Sequence, residues 1–389
     1  MPGWHERTKK LLKEGRLNVV GVVQEQHPRR AALFMQWKQM DWPVYIDSFN
    51  LLEVEAVPMT FLVNPKGVIT KVSPSKKNLD SILKNATNAI NPTTSDDLEP
   101  YWSTLLKKRS FNLFCNLASE RNFVELFKSI KMLKKSDYKM RHEHLEFMTG
   151  VAYKMRSESP FRKLDDFSKA IDHWETALEL RPNQYIWRRR IQQYGPILGK
   201  PYPFYDWVEI ALKELKEKGE VPFNENFVLT ESEQSILTPT QTSNKKNYKI
   251  PDPFNKLKRG NMQFVNTRVL TIPSHPKTGR PFRVFVQLDL KQPDSVQWNN
   301  EGAASHLYFE KSNFNKTSIH RFWTGTKEKE YSTEQRIIDF ELNYPRSGII
   351  GGKKLPAGYI VVNLCDRLTG ACFTRRIDFS IPINKVDIQ

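Results

Sequence analysis

Three cysteines stand in a chain of 389 residues, and two of them are placed for chemistry. Cys365 and Cys372 lie inside "YIVVNLCDRLTGACFTRRIDFSI", where alternating apolar residues flank a turn, the pattern of a β-hairpin. With Arg367, Leu368, Thr369 and Gly370 as the loop, the two cysteines face one another across antiparallel strands. Directly opposed residues there have Cα atoms about 4.5–5.5 Å apart, within disulfide reach. Such a bond closes a small loop and adds little stability, and strained, exposed pairs are the reducible ones. A redox pair, a static disulfide and two free buried thiols all fit these residues. In the redox case one thiolate attacks a partner disulfide and the other cysteine resolves the mixed disulfide; Arg375 or Arg376 would stabilise the thiolate if its side chain turns back. Cys115 stands alone, and three cysteines are too few for a disulfide-built scaffold.

The histidines offer less. In "RHEHLE", His142 and His144 are two apart and point to different helix faces, and Glu146 sits where a His-Glu-x-x-His site needs its second histidine. No metal and no cofactor is expected.

The elements at the front read helix, strand, helix, strand, strand, helix. His5–Glu14 is a helix. "LNVVGVV" is a short continuous apolar run, as in a strand buried on both faces, and "PRRAALFMQWKQM" sets Leu33, Phe34, Trp37 and Met40 on one helical face. "PVYID" and "VPMTFLV" are strands, Asn64-Pro65-Lys66-Gly67 turns the latter into "VITKV", and "KKNLDSILKNA" closes the set as a helix.

That order, with Val57-Pro58 ahead of a strand and a Pro-Lys-Gly hairpin behind it, resembles a thioredoxin-like domain of the redoxin type over residues 1–90. The resemblance implies a cis Pro58 facing two redox cysteines at the start of the first helix, where the helix dipole and free N–H groups favour a thiolate. Met1-Pro2-Gly3-Trp4-His5 has the frame of that Cys-x-x-Cys-His turn, with Met1 and Trp4 at the cysteine positions. A thioether and an indole form neither thiolate nor disulfide, so this domain as written exchanges no thiols. It also lacks the strand that precedes the motif in the family. A late start, a degenerate copy and a coincidental match to another α/β unit remain open. His5 is either a relic of the redox turn or a polar neighbour of the helix start.

After the polar "NPTTSDDLEP", residues 100–218 read as helices. Leu126, Ile130 and Leu133 form one apolar stripe; Leu145, Met148, Ala152 and Met155 form another. Ala170, Trp174, Ala177 and Pro182 have the spacing of the second helix of a tetratricopeptide repeat (TPR), and Gly150 and Tyr153 that of the first, with "RSESPFRK" as an insertion of about eight residues between them. One motif cannot bury its own face, so neighbouring helices, "NQYIWRRRIQQYG" among them, must complete the stack. The TPR-like resemblance implies a concave peptide-binding surface and a protein partner; the other reading is that these helices only space two other domains.

Residues 219–260 read as a linker. Residues 261–389 turn to period two: "RVFVQLDL" alternates Val284, Val286, Leu288 and Leu290 with polar partners, and "RIIDFEL" and "GYIVVNL" follow, as in an antiparallel β-sandwich. The last hairpin resembles the immunoglobulin-like N-terminal domain of DsbD-type thiol:disulfide interchange proteins, whose two redox cysteines lie near the ends of adjoining strands. Here the spacing is one residue longer, and Phe373-Thr374-Arg375 replaces the aromatic-proline sequence that follows the family's second cysteine.

The formal charge of +17 gives a positive surface field. Lysine on solvated helix backs accounts for it, and the basic residues lack the aromatic spacing of an RNA-binding strand, so nucleic acid is not the expected partner. No apolar run is long enough to span a bilayer. The opening residues show no signal peptide, which places the chain in the cytoplasm if Met1 is the true start and outside it if an upstream segment precedes. The fold class expected is multidomain: an N-terminally incomplete α/β thioredoxin-like part, then TPR-like helices, then an antiparallel β-sandwich. The function expected is a redoxin-family role in thiol–disulfide exchange with any chemistry at Cys365 and Cys372; the rival is a non-catalytic TPR-type interaction scaffold.

Overall fold

The computed structural model describes residues 2–24, 28–64, 68–73, 81, 117, 120–135, 141–196, 206–222, 250–260, 263–301, 305–314, 316–323, 330–346 and 357–382. Met1, Pro65 to Gly67, the "NPTTSDDLEP" segment, Cys115 and almost all of the "KKNLDSILKNA" helix and of residues 219–249 lie outside them. The chain divides into two compact units that interleave in sequence: Met1–Ser159, His173–Arg189 and Trp207–Phe227 in the first, Pro160–Asp172, Arg190–Asp206 and Val228–Gln389 in the second.

The first unit begins with α1 (Pro2–Lys13), β1 (Gly21–Val23), α2 (Pro28–Trp37), β2 (Val44–Ile46), β3 (Phe61–Val63) and β4 (Ile69–Val72). β1 and β2 pair in parallel, and β3 and β4 form a separate antiparallel pair. Asn64 closes that hairpin twice, its N–H donating to the Val68 carbonyl and its side-chain oxygen accepting from the Val68 N–H. The expectation of a first strand buried on both faces needs correction. Val20 is 51% and Val22 41% exposed, whereas Gly21 is buried, so one face of this run is left open.

The helices α3 (Phe123–Lys135), α4 (His142–Ser157), the C-terminal part of α5 (Asp166–Leu180), most of α6 (Tyr185–Gln192) and α7 (Asp206–Glu217) complete this unit. The two apolar stripes are where periodicity puts them: Leu126, Ile130, Leu145, Met148 and Ala152 are buried, and α3 lies against α4. These helices hold the loop between β2 and β3. His144 lies 2.9 Å from the Phe49 carbonyl, Gln184 donates to the Val54 carbonyl, the Tyr185 N–H donates to the Glu55 carbonyl, Arg141 pairs with Glu53 at 3.2 Å and Arg181 pairs with Glu55. On the other side Trp37 donates to Glu214 at 2.7 Å and stacks on Trp207. The residues read as a front domain and most of those read as a helical region thus share one unit.

The second unit carries β5 (Val265–Ile272), β6 (Pro281–Leu290), β7 (Val296–Asn299), β8 (Ser305–Phe309), β9 (Ile319–Trp323), β10 (Tyr331–Ser332), β11 (Arg336–Asn343), β12 (Ala357–Asp366) and β13 (Cys372–Ser380). One sheet runs β11-β6-β5. The other runs β10-β7-β12-β8-β9, with β13 also on β12, and every pairing in both is antiparallel. The sheets share one core, filled by Val284, Leu288, Trp298, Phe340, Ile360 and their neighbours. β9 lies alongside β11 and β13 alongside β5, so the sheets approach at both margins.

The alternation in "RVFVQLDL" is correct for the core side, but its polar side is not wet. Arg283 and Phe285 are fully buried and Gln287 is 1% exposed. Phe167 covers Phe285 edge-to-face, and Arg283 pairs with Asp339, donating from Nε at 2.6 Å.

Candidate functional site

The hairpin of β12 and β13 carries the sulfur. Nine successive pairs, Ala357 with Ser380 through Cys365 with Cys372, align without a slip. Side chains alternate along a strand. Since Ile360, Val362 and Leu364 of β12 and Ile377 and Phe379 of β13 fill the core, Cys365 and Cys372 share the opposite face. They are joined in a disulfide with Cα atoms 4.0 Å apart. Cys365 is 1% exposed, whereas Cys372 is exposed.

The loop is set by its own residues. Gly370 takes φ +69°, a left-handed conformation that glycine adopts without strain. The Asp366 carboxylate accepts from the N–H groups of Leu368 and Thr369, and the Asp366 N–H donates to the Ala371 carbonyl. Those N–H groups, Thr369 first, hold the Asp366 carboxyl below its ordinary range. The Arg367 N–H donates to the Ser295 carbonyl, and Cys365 pairs with Gln297 of β7. The hairpin end is therefore anchored on the β12 side, and Cys372 on β13 is the exposed cysteine.

Neither arginine serves the sulfurs. Arg376 binds Asp252 at 3.1 Å, Asp378 at 2.7 Å and Asn255, and lies over the Tyr359 ring. Arg375 lies over Phe373 and Phe264 and donates to the Thr374 carbonyl. Asp366, Gln297 and the Asn363–Thr374 hydrogen bond beside the cysteines were not singled out by sequence. Asp366 is the one with a legible signal, an aspartate two residues ahead of the N–H groups it caps.

The front residues sit elsewhere in the chain. Trp4 lies in the first turns of α1, where its carbonyl accepts from the Thr8 hydroxyl. Pro58 is exposed and its bond to Val57 is cis. Among the described residues of this unit there is no cysteine, and Trp4 stands where the resemblance would put one. His5 follows Trp4 in α1. It is buried, lies 2.8 Å from Asp41 and packs edge-to-face on Trp42, and this hydrogen bond is the main cause of the lowered Asp41 pKa.

The repeat residues gather at α4 and α5. Gly150, Ala170, Trp174 and Ala177 are buried, and Tyr153 is half-buried and stacks on His173. The Trp174 indole donates to the Phe147 carbonyl. Pro182 is exposed just beyond the end of α5. The "RHEHLE" histidines do diverge: His144 turns inward, His142 is exposed, and Glu146 pairs with His173 at 2.6 Å. Among the described residues, no group of three or more His, Cys, Asp or Glu side chains is gathered to hold a metal, and no helix is long and apolar enough to cross a membrane.

The architecture and the hairpin define a multidomain protein of mixed α and β structure with a disulfide at an open strand end. Comparison with protein-family models and with curated proteins finds no match to this chain.

Proposed function

We propose that this chain takes part in thiol–disulfide exchange, with Cys365 and Cys372 as its redox pair. The observation that carries the reading is the asymmetry of the disulfide: one cysteine exposed at a hairpin end, its partner only 1% exposed. A partner thiolate attacks the Cys372 sulfur, the Cys365–Cys372 bond breaks, and Cys365 leaves as a thiolate that takes a proton. The partner's second thiolate then attacks the mixed disulfide and forms the partner's own disulfide, and Cys372 leaves and is protonated. The partner loses two electrons and the pair gains them.

The thioredoxin-like front and the TPR-like helices act in this reading as a docking unit without sulfur chemistry. The hydrogen bonds to the loop that leads to Pro58, from Gln184 and Tyr185, support that assignment. A second reading, a purely non-catalytic interaction scaffold, is favoured by the apolar side chains this unit exposes, with Tyr45 at 65%, Val57 at 49% and Val63 at 57%.

Thiol titration of the native chain separates the two. The exchange reading expects Cys365 and Cys372 to become titratable with dithiothreitol while the fold persists, and to re-form their bond with oxidised glutathione. A pair that resists reduction until the chain unfolds, or a Cys365→Ser variant that reduces insulin as well as the parent, refutes it.

A further inference from the structure

The sheet face that carries the cysteines also carries two histidines on neighbouring strands. On β8, Leu307 and Phe309 fill the core, and on β9, Ile319 and Trp323 pack against it. His306, Tyr308, His320 and Phe322 therefore share the outer face. Antiparallel pairing sets Tyr308 opposite His320 and His306 opposite Phe322, so the histidines are diagonal neighbours. Their rings meet edge to edge: His306 Nε2 lies 3.3 Å from His320 Nδ1. Phe322 stacks on His306 at 4.1 Å, and Tyr308 packs against His320 at 5.0 Å.

We propose that His306 Nε2 and His320 Nδ1 form a two-histidine site for a divalent first-row transition ion of the Zn²⁺ class, completed by water. The separation is the one such an ion needs. With Zn–N bonds of about 2.05 Å, two nitrogens 3.3 Å apart subtend about 107° at the metal, close to tetrahedral. Imidazole nitrogen suits Zn²⁺, Cu²⁺ and Ni²⁺. Without metal one of these two nitrogens donates to the other; on binding, that ring's proton moves by way of water to its far nitrogen, so both rings ligate as neutral imidazoles, with protons on His306 Nδ1 and His320 Nε2, and no net proton is released. Phe322 and Tyr308 wall the rings and limit their rotation, which reduces the ordering cost of binding. His306 pairs with Val361, four residues along β12 from Cys365, so the ion would lie about 13 Å from that sulfur. The site is therefore independent of the redox reading, and either can fail alone.

The test is calorimetric titration of the full, disulfide-bonded chain with ZnCl₂. One ion should bind with micromolar affinity, and His306→Gln and His320→Gln should each weaken it at least tenfold, while His275→Gln leaves it unchanged. Binding that survives in the double His306→Gln/His320→Gln variant overturns the proposal, as does no binding below millimolar Zn²⁺. A measurement on the native chain guards against misfolded variants: Zn²⁺ should protect His306 and His320, and not His275, from diethylpyrocarbonate acylation read by mass spectrometry. Equal acylation with and without Zn²⁺ overturns it too.

Discussion

The sheet that backs the cysteine hairpin contains a buried ion pair, and its removal is a demanding test of the packing described above. Arg283 of β6 and Asp339 of β11 have side chains 0% and 1% exposed. Arg283 donates from Nε at 2.6 Å and also reaches the same oxygen through Nη2, and the Asp339 carbonyl accepts from Arg321 of the facing sheet at 2.9 Å. Asp339→Asn keeps the shape and removes the negative charge, taking from the buried guanidinium the carboxylate it binds most closely. Breaking a buried pair in this way costs about 3–5 kcal/mol. At the lower figure the protection of β6 and β11 amides against hydrogen exchange by global opening falls about a hundredfold or more. The double variant Arg283→Met/Asp339→Leu removes both charges and their desolvation together, and comes out near neutral or about 1–4 kcal/mol more stable than the parent. Exchange mass spectrometry is the right assay, because a chain of two units need not unfold in one step and a single midpoint would mix them. A less than threefold loss of protection in Asp339→Asn, or a double variant less stable than the single one, refutes the claim that this pair is buried and mutually dependent.

Other sites give sharper local outcomes. An alanine Cβ at Gly358 would lie 2.7 Å from the Phe379 ring and 2.8 Å from the Tyr308 carbonyl, so Gly358→Ala should lower stability by about 1–3 kcal/mol through overpacking, read as faster exchange in β8, β12 and β13. Trp174→Ala empties a fully buried site in the first unit and should cost about 3–5 kcal/mol, read as a lower urea midpoint for that unit. The His144 imidazole, 3.6 Å away, and then Arg141 and Arg181 hold the Glu53 pKa below 4.5 against burial, which raises it. Because that pKa is depressed in the fold, its contribution is complete above pH 4.5 and disappears as pH falls through the folded value; Glu53→Gln should flatten this acid limb, and an unchanged limb refutes the assignment. Asp366→Ala frees the Leu368 and Thr369 N–H groups, so the reduced hairpin should hold its thiols together less well and the equilibrium with glutathione should shift toward the dithiol; a shift toward the disulfide counts against the loop's role.

Which features were legible depended on how local their causes are. The hairpin register could be read because a Thr-Gly turn and the alternation of Ile360, Val362 and Leu364 act within twenty residues. The helical stripes at Leu126 and Leu145 could be read for the same reason. The burial of Arg283 and Gln287 could not, because Phe167, more than a hundred residues earlier, covers that face. Nor could the exposure of Val20 and Val22, since an apolar run does not say what packs on each face of the strand. His306 and His320 were missed although "SHLYF" and "IHRFW" both alternate with histidine on the outward parity; only the pairing of β8 with β9 brings the rings together. The His5–Asp41 contact was not legible because Asp41 lies beyond a strand and a helix in the chain.

The order of cause at the sulfur site runs from the core outward. Shifting β13 by one residue against β12 would turn Ile377 and Phe379 out of the core and put Cys372 on the face opposite Cys365. Ile377 is fully buried and Phe379 is 6% exposed, so the slip would expose two large apolar side chains, a loss of about 1.5–3 kcal/mol each. The loop resists it as well, because Gly370 supplies the left-handed residue and Asp366 caps two N–H groups only in the observed register. The register is thus set by core packing and loop geometry and not by the S–S bond, and on this argument it should outlast reduction. That persistence is what the proposed exchange at Cys365 and Cys372 requires, and loss of the β12–β13 amide protection on reduction would count against it.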